Sequence, residues 1–102
     1  MEKLETKTLE KTKEKEKVKE PEQFNVVLLN DDYTTMDFVV EILMTIFHKK
    51  IEDAFKIMLD IHSRGKGIVG RYTWDIASTK AAQVHEAARA NEFPLKCVVQ
   101  AE

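Results

Sequence analysis

The chain has 102 residues, of which 43% are hydrophobic and 33% charged, with a formal net charge of −2 and a single cysteine. This length fits one domain and excludes a multidomain enzyme with separate cofactor and substrate lobes. One cysteine cannot form an internal disulfide, and no apolar run approaches the roughly 18–20 residues that span a bilayer. The near-neutral charge argues against a mainly phosphate-binding protein. We therefore expect a cytoplasmic protein without nucleic-acid or membrane partners.

The N-terminal part of the chain differs in composition from the rest. Residues 1–20 contain seven Lys and six Glu but few large apolar side chains. Such a segment buries too little apolar surface to offset its chain entropy. We predict a flexible charged extension over residues 1–22 and a packed core domain over residues 23–102.

The core domain opens with a β-rich run, residues 24–29, which ends at three turn-favouring residues, Asn30, Asp31 and Asp32. A helix should follow, with Thr34 or Thr35 capping its first free N–H groups. Apolar residues then recur at steps of three and four, which predicts one buried helical stripe. The stripe comprises Met36, Val39, Val40, Leu43, Ile46 and Phe47.

Two further helices and two further strands are predicted after Lys50. The second helix has an apolar face and ends at Gly65, a residue suited to a left-handed C-cap. Residues 66–72 form the second strand, where glycines mark a bend or a close backbone approach. Thr73 is placed to cap an alanine-rich third helix that Pro94 stops, and the last strand covers residues 95–99. The order β-α-α-β-α-β predicts an α+β fold, with a small three-stranded antiparallel sheet covered by three helices.

The densest polar cluster is the segment Asn30-Asp31-Asp32-Tyr33-Thr34. Two carboxylates and an amide oxygen supply hydrogen-bond acceptors without a strong cationic donor, so the cluster favours a cation or a group with several donors. An Asx turn that leads into a helix would explain the same residues.

His62 lies four residues after Met58 on the second predicted helix, at the polar edge of its apolar face. If the two helices pack together, His62 and the polar cluster border one pocket with an apolar floor. A neutral imidazole also accepts hydrogen bonds, and an ammonium group offers three donors. Such a pocket suits a primary amine attached to a large hydrophobic side chain, for example the first residue of a peptide. A purely structural role for His62 is the alternative.

Residues 24–102 resemble the ClpS family, the adaptors of the AAA+ protease ClpAP. The resemblance rests on the segments FNVVLLNDDYTTMDFVVEIL, MLDIHSRGKGIVGRYT, DIASTKAA and NEFPLKCVV. It implies recognition of N-degron substrates whose first residue is Leu, Phe, Tyr or Trp, and their delivery to the ClpA hexamer. We expect no cofactor, no metal and no catalytic residue. The expected state is a monomer.

The resemblance also assigns roles to individual residues. It implies that Asn30, Asp32 and His62 bind the α-amino group, with Asp31 supporting the site. Asp75 and Lys80 match positions that the family uses to dock on the N-terminal domain of ClpA. Met36 and its neighbours would exclude a first residue with a branched β-carbon. The residues expected to line the side-chain pocket are Thr34, Met36, Val39, Met58, Ile61 and Leu95.

Three other functions compete with this one. An enzyme is disfavoured because no activated nucleophile, phosphate loop or cofactor signature accompanies the polar cluster, and the three histidines lack metal-ligand spacing. A basic loop over residues 64–67 could contact nucleic acid, but an acidic domain gives a poor electrostatic match. The third alternative is a regulator that docks on a Clp ATPase without recognising N-terminal residues.

Overall fold

The computed structural model describes residues 20–102, and within them the elements follow the order β-α-α-β-α-β. This order confirms the predicted α+β class. Residues 1–19 of the predicted extension lie outside the described residues, so its flexibility stays a prediction. The elements are β1 (Phe24–Leu29), α1 (Met36–Thr45), α2 (Ile51–Arg64), β2 (Lys66–Tyr72), α3 (Trp74–Ala90) and β3 (Lys96–Ala101).

The three strands form an antiparallel sheet, as predicted, and their order in the sheet is β2-β1-β3. β1 pairs with β3 in unbroken register, whereas its pairing with β2 shifts between Val26 and Val27. Val26 lies opposite Gly70 and Val27 opposite Ile68, so the residue between them, Val69, is an extra residue in β2. An extra residue of this kind bends a strand, which confirms the irregularity predicted from the glycines.

The hydrophobic core lies between one face of this sheet and the helices. Alternate residues of β1, Val26 and Leu28, are fully buried and belong to the core cluster. α3 contributes three buried alanines and the fully buried Val84. Small side chains let a helix approach a sheet closely, as the alanine content predicts. The three buried alanines of α3 are Ala77, Ala81 and Ala88.

The helix boundaries show where local signals act and where they do not. Thr35 caps α1, since its hydroxyl accepts the N–H of Phe38 at 3.1 Å. Gly65 ends α2 in the left-handed conformation (φ +89°), as predicted. Thr73 occupies the N-cap position of α3, but its side chain makes no capping hydrogen bond.

The prediction that Pro94 stops α3 is wrong, because the helix ends at Ala90. Glu92 adopts a left-handed conformation (φ +59°), and the N–H of Phe93 donates to the carbonyl of Ala88 at 2.8 Å. This turn closes the helix before Pro94 is reached. β3 consequently starts at Lys96, one residue later than predicted, and continues to Ala101.

Across residues 20–102, none of the helices combines the length and the apolar character that a bilayer crossing requires.

Candidate functional site

The loop between β1 and α1 is folded around the carboxylate of Asp31. Its Oδ1 accepts the N–H groups of Tyr33 (2.8 Å) and Thr34 (2.6 Å), and its Oδ2 accepts the Thr34 hydroxyl at 2.7 Å. Burial raises the pKa of Asp31, but these hydrogen bonds outweigh burial and hold its pKa below the ordinary value of 3.8. The Asx turn considered as an alternative is therefore present. Asp31 holds the loop in shape and is not a free ligand.

A second hydrogen bond joins this loop to the end of α2. The N–H of Asn30 donates to the carbonyl of Gly65 at 2.8 Å. Close packing continues at Gly67, where an added Cβ would lie only 2.8 Å from Cγ1 of Ile61. Because His62 lies one turn before Gly65, this junction brings His62 to the same side of the domain as Asn30.

A cavity of about 420 Å³ lies between the loop and the helices α1 and α2. It brings together the predicted amine-binding residues and all but one of the predicted pocket residues. It also includes Tyr33 and Thr35, which had not been predicted as lining residues. The lining consists of Asn30, Asp31, Asp32, Tyr33, Thr34, Thr35, Met36, Val39, Met58, Ile61 and His62.

The cavity has an apolar interior and a polar rim. Val39, Met58 and Ile61 are at least 93% buried, as members of the hydrophobic core. Asn30, Asp32 and His62 are exposed at the rim. No hydrogen bond or ion pair joins their side chains to other residues within 20–102, so their acceptor atoms stay available. Met36 is 43% exposed and lies at the mouth.

Leu95 is the predicted pocket residue that the structure does not bring to the cavity. It is 4% exposed and belongs to the same buried cluster as Val39, Met58 and Ile61. It therefore supports the apolar wall from within the core without lining the cavity.

Comparisons with known proteins show the family of this chain. A family model described as "ATP-dependent Clp protease adaptor protein ClpS" matches residues 19–98. The chain belongs to the ClpS family. The protein is accordingly an adaptor of an ATP-dependent Clp protease, and a Clp ATPase is the partner that this family implies. ClpS is a family of adaptors and not one of known enzymes, which agrees with the sequence-based expectation.

Similar ClpS proteins cover most of the chain. The ATP-dependent Clp protease adapter protein ClpS of Syntrophus aciditrophicus is 63% identical over 82 residues, which are 80% of this chain and 77% of that protein. The corresponding protein of Acetivibrio thermocellus is 55% identical over 96 residues, 94% of this chain and 97% of that protein. Among solved structures, Agrobacterium tumefaciens ClpS2 bound to L-phenylalaninamide has a TM-score of 0.78 at 33% identity. That match covers 80% of this chain and 99% of ClpS2.

The two residues that the ClpS resemblance assigned to docking, Asp75 and Lys80, lie on α3, and neither lines the cavity. Asp75 is exposed in the first turn between Trp74 (54% exposed) and Ile76 (48% exposed). Sequence analysis had not indicated these two apolar neighbours.

Lys80 has an internal role that the sequence did not reveal. Its Nζ donates to the carbonyl of Ile46, just beyond α1, at 2.7 Å. It also lies 5.7 Å from the ring centroid of Phe47 and 5.4 Å from that of Tyr72. Lys80 therefore donates to one of the carbonyls at the C-terminal end of α1, which have no hydrogen-bond partner within the helix itself.

Cys97, the single thiol, is not an activated nucleophile. It is 4% exposed, and burial raises its pKa to about 11, so the thiol stays protonated near neutral pH. Its backbone N–H donates to Nε2 of His85 at 3.0 Å, and this hydrogen bond links α3 with β3. Both observations agree with the prediction that Cys97 acts as a small buried hydrophobe.

Proposed function

We propose that this adaptor recognises N-degrons and delivers them to ClpAP, working as a monomer in the cytoplasm. Its substrates would begin with Leu, Phe, Tyr or Trp. One observation carries the proposal: the cavity combines available acceptor groups at its rim with a buried apolar interior. A free N-terminal residue with a large apolar side chain has the complementary chemistry at both ends.

The α-amino group of the substrate binds at the rim. Its ammonium form offers three N–H donors, matched by the Asn30 amide oxygen, the Asp32 carboxylate and a ring nitrogen of neutral His62. Asp31 keeps the loop in place, because its own oxygens are already occupied by Tyr33 and Thr34. The charge of Asp32 makes this site specific for an amine, since an acetylated N-terminus loses both the positive charge and two donors.

The first side chain enters the apolar interior. Val39, Met58 and Ile61 supply its walls, and Met36 at the mouth restricts the width near the β-carbon. A β-branched residue such as Ile places an extra methyl group at this position and is disfavoured. The related ClpS2 supports this pairing of amine and side chain, since L-phenylalaninamide consists of little more than these two groups.

Fluorescence anisotropy of the full chain with a labelled peptide beginning in Phe tests the proposal. Acetylation of the α-amine is expected to weaken binding by about 30-fold or more, because charge-assisted hydrogen bonds are lost. Replacing Phe by Ile should also weaken binding. Asp32→Asn should reduce the affinity, whereas Glu86→Gln, the same change on the exposed surface of α3, should not. Equal affinity for the free and acetylated peptides would contradict the proposal.

The exposed start of α3 is the proposed docking surface for the N-terminal domain of ClpA. Trp74 and Ile76 offer apolar area on both sides of the Asp75 carboxylate, a combination typical of interfaces. Lys80 contributes a positive charge one and a half turns further along α3. Because this surface and the cavity do not share residues, a substrate and the ATPase can be bound at once.

The charged extension joins the domain close to this docking surface. The described chain begins at Glu20, and the ring of Phe24 contacts that of Trp74 with centroids 5.3 Å apart. We propose that the ATPase pore engages the extension during delivery, or that the extension spaces the domain from the pore. Deleting residues 1–20 should then leave peptide binding unchanged and abolish degradation of an N-degron substrate by ClpAP. Undiminished degradation by the truncated adaptor would exclude both roles.

A further inference from the structure

The face of the sheet that points away from the core has an apolar patch of its own. Val27 is 2% exposed, yet it does not belong to the buried cluster that forms the hydrophobic core. Successive residues of a strand point to opposite faces, so Val27 lies on the face opposite to Val26 and Leu28. This second patch, called here the outer patch, comprises Val27, Leu29, Ile68 and Val98.

The strand register arranges the outer patch and its border in two rows. Paired residues of neighbouring antiparallel strands share a face of the sheet. The first row is apolar and comprises Ile68, Val27 and Val98. The second row has a lysine on either side and comprises Lys66, Leu29 and Lys96. Because Val27 and Leu29 are two residues apart on β1, the rows are separated by about 6.6 Å.

A second cavity, of about 460 Å³, lies against this face. Two members of the outer patch line it together with Lys66 and two residues of α2, Asp60 and Arg64. Arg64 pairs with Asp60 at 3.6 Å, whereas neither Lys66 nor Lys96 has an ion pair within residues 20–102. The lysine row therefore offers two ammonium groups beside an apolar surface.

Positive charge is concentrated on this side of the domain. Residues 21–102 contain more acidic than basic residues. Among the residues that lie on the outer face or line its cavity the balance is reversed, with four basic and two acidic side chains. These are Arg64, Lys66, Arg71 and Lys96, and Asp60 and Glu102. A surface of this kind is electrostatically complementary to an acidic partner.

The basic loop of residues 64–67 belongs to this surface, and its surroundings favour a peptide over nucleic acid. Nucleic-acid binding requires a cluster of cations that contact phosphates. Here Arg64 is already paired with Asp60, and the centre of the face is apolar. An acidic peptide matches both properties, since its carboxylate fits the lysine row and an apolar side chain fits the row of Val27.

The end of α2 separates the second cavity from the first one, which lies between the loop and the helices α1 and α2. His62 lines the first cavity, while Asp60 and Arg64, two residues before and after it, line the second. Residues two apart on a helix point to nearly opposite sides. Half the circumference of a helix about 10–12 Å wide is about 16–19 Å, which an extended chain spans in about five or six residues. A substrate held by its first residue therefore reaches the outer face from about residue 7.

We propose that the outer face of the sheet binds an acidic segment of the substrate whose first residue occupies the first cavity. This inference rests on the proposed function. Because Gly65 leads directly into Lys66, a chain that crosses the end of α2 meets the lysine row first. A carboxylate at about residue 7 then lies between Lys66 and Lys96, and an apolar side chain two residues later contacts Val27.

The geometry of an extended chain satisfies both contacts. Side chains two apart are separated by about 6.6 Å and point to the same side, as the two rows require. Two lysines and a small apolar patch bind a free peptide weakly. Anchoring of the first residue raises the effective concentration of the segment, so that the weak contact adds to the affinity.

Three peptides of about twelve residues, labelled at the C-terminus, test the inference by fluorescence anisotropy. All begin with Phe and otherwise contain Gly and Ser except at two positions. The first has Glu at position 7 and Leu at position 9. The second has the same composition with Leu at position 8, where its side chain points away from that of Glu, and the third has Lys at position 7 and Leu at position 9. The first should bind about fivefold more tightly than either of the others.

Charge reversal assigns the effect to the lysine row. Lys66→Glu should remove the advantage of the first peptide, and the double variant Lys66→Glu/Lys96→Glu should favour the third. The competitor L-phenylalaninamide should bind both variants as it binds the parent. Lys50→Glu, the same change at the opposite end of α2, is the matched control and should preserve the parent's preference. All three lysines are exposed, and circular dichroism verifies that the variants are folded.

The outcomes separate this inference from the proposed function. Equal affinity of the parent for the first peptide and either of the others, or an advantage that persists in the double variant, would overturn the inference and leave N-terminal recognition intact. Failure of all three peptides and of L-phenylalaninamide to bind would contradict the proposed function and the inference with it. A single-stranded oligonucleotide that binds the parent but not the double variant would assign the face to nucleic acid and overturn the inference.

Discussion

The cavity and the start of α3 each contain one polar side chain held by the fold and one left exposed. At the cavity, Asp31 receives three hydrogen bonds, whereas the next residue, Asp32, receives none from the described part of the chain. On α3, Lys80 donates to the Ile46 carbonyl, whereas Asp75 is exposed. In each region, two charged residues that lie close together in sequence therefore have different physical roles.

Asp31 and Lys80, the two residues whose side chains are hydrogen-bonded, stabilise different parts of the fold. Within residues 20–102, the Asp31 carboxylate accepts hydrogen bonds from its own loop alone, so its loss acts directly on the rim proposed to bind the amine. Lys80 reaches from α3 to the C-terminal end of α1, whose opposite end lines the cavity. The proposed docking surface is thereby linked to a helix of the proposed substrate site. We expect a substitution at Asp31 or Lys80 to change stability as well as binding. A substitution at the exposed Asp32 or Asp75 should change binding alone.

The largest expected difference is between Asp31→Ala and Asp32→Ala. Asp31→Ala should lower the free energy of unfolding by about 2–3 kcal/mol, because three hydrogen bonds to a charged group are lost. Asp32→Ala should change it by less than about 0.5 kcal/mol, since the side chain is exposed. Both should lose affinity for a peptide with N-terminal Phe. Urea unfolding followed by Trp74 fluorescence measures the first effect, and equal stability of the two variants would refute the distinction.

A smaller difference is expected on α3. Lys80→Met keeps the aliphatic stem but removes the donor to Ile46 and the contacts with Phe47 and Tyr72. We expect a loss of about 1–2 kcal/mol in unfolding free energy. Asp75→Asn should cost less than about 0.5 kcal/mol, yet both variants should bind the ClpA N-terminal domain more weakly. If Lys80→Met proved as stable as the parent, the ammonium group would not be held at the end of α1 in solution.

Local signals were sufficient for much of the fold. The bounds of β1 follow from a β-rich run that ends in turn residues, and the end of α2 follows from Gly65. The end of α3 was predicted incorrectly because the left-handed Glu92 carries no strong sequence signal. Glycine or asparagine usually marks such a turn, whereas glutamate does not.

The candidate site was predictable where its residues lie close in sequence or share a helical face. The polar loop and the facing residues of α1 and α2 meet these conditions, and the structure brings them together. The partner of Lys80 is 34 residues away, so no spacing rule could indicate it. The position of Leu95 within the core likewise depends on tertiary packing. Both are properties of the assembled fold.

The smallest expected effect is a pH dependence that isolates Asp31. Its folded pKa lies below the ordinary value of 3.8, so folding favours the charged form. The stabilisation is fully present above the unfolded pKa and disappears as the pH falls through the lower, folded pKa. Urea midpoints measured from about pH 7 to pH 3 should therefore decline in the parent protein as this carboxylate is protonated.

Other carboxylates titrate in the same range, and Asp31→Asn serves as the reference that retains them. The difference in stability between the parent and Asp31→Asn should be constant near neutral pH and shrink in acid, because protonation removes the same charge that the substitution removes. A difference that does not vary with pH would mean that the charge of Asp31 contributes nothing to stability. Hydrogen bonds that an uncharged side chain can also form would then account for the order of the loop.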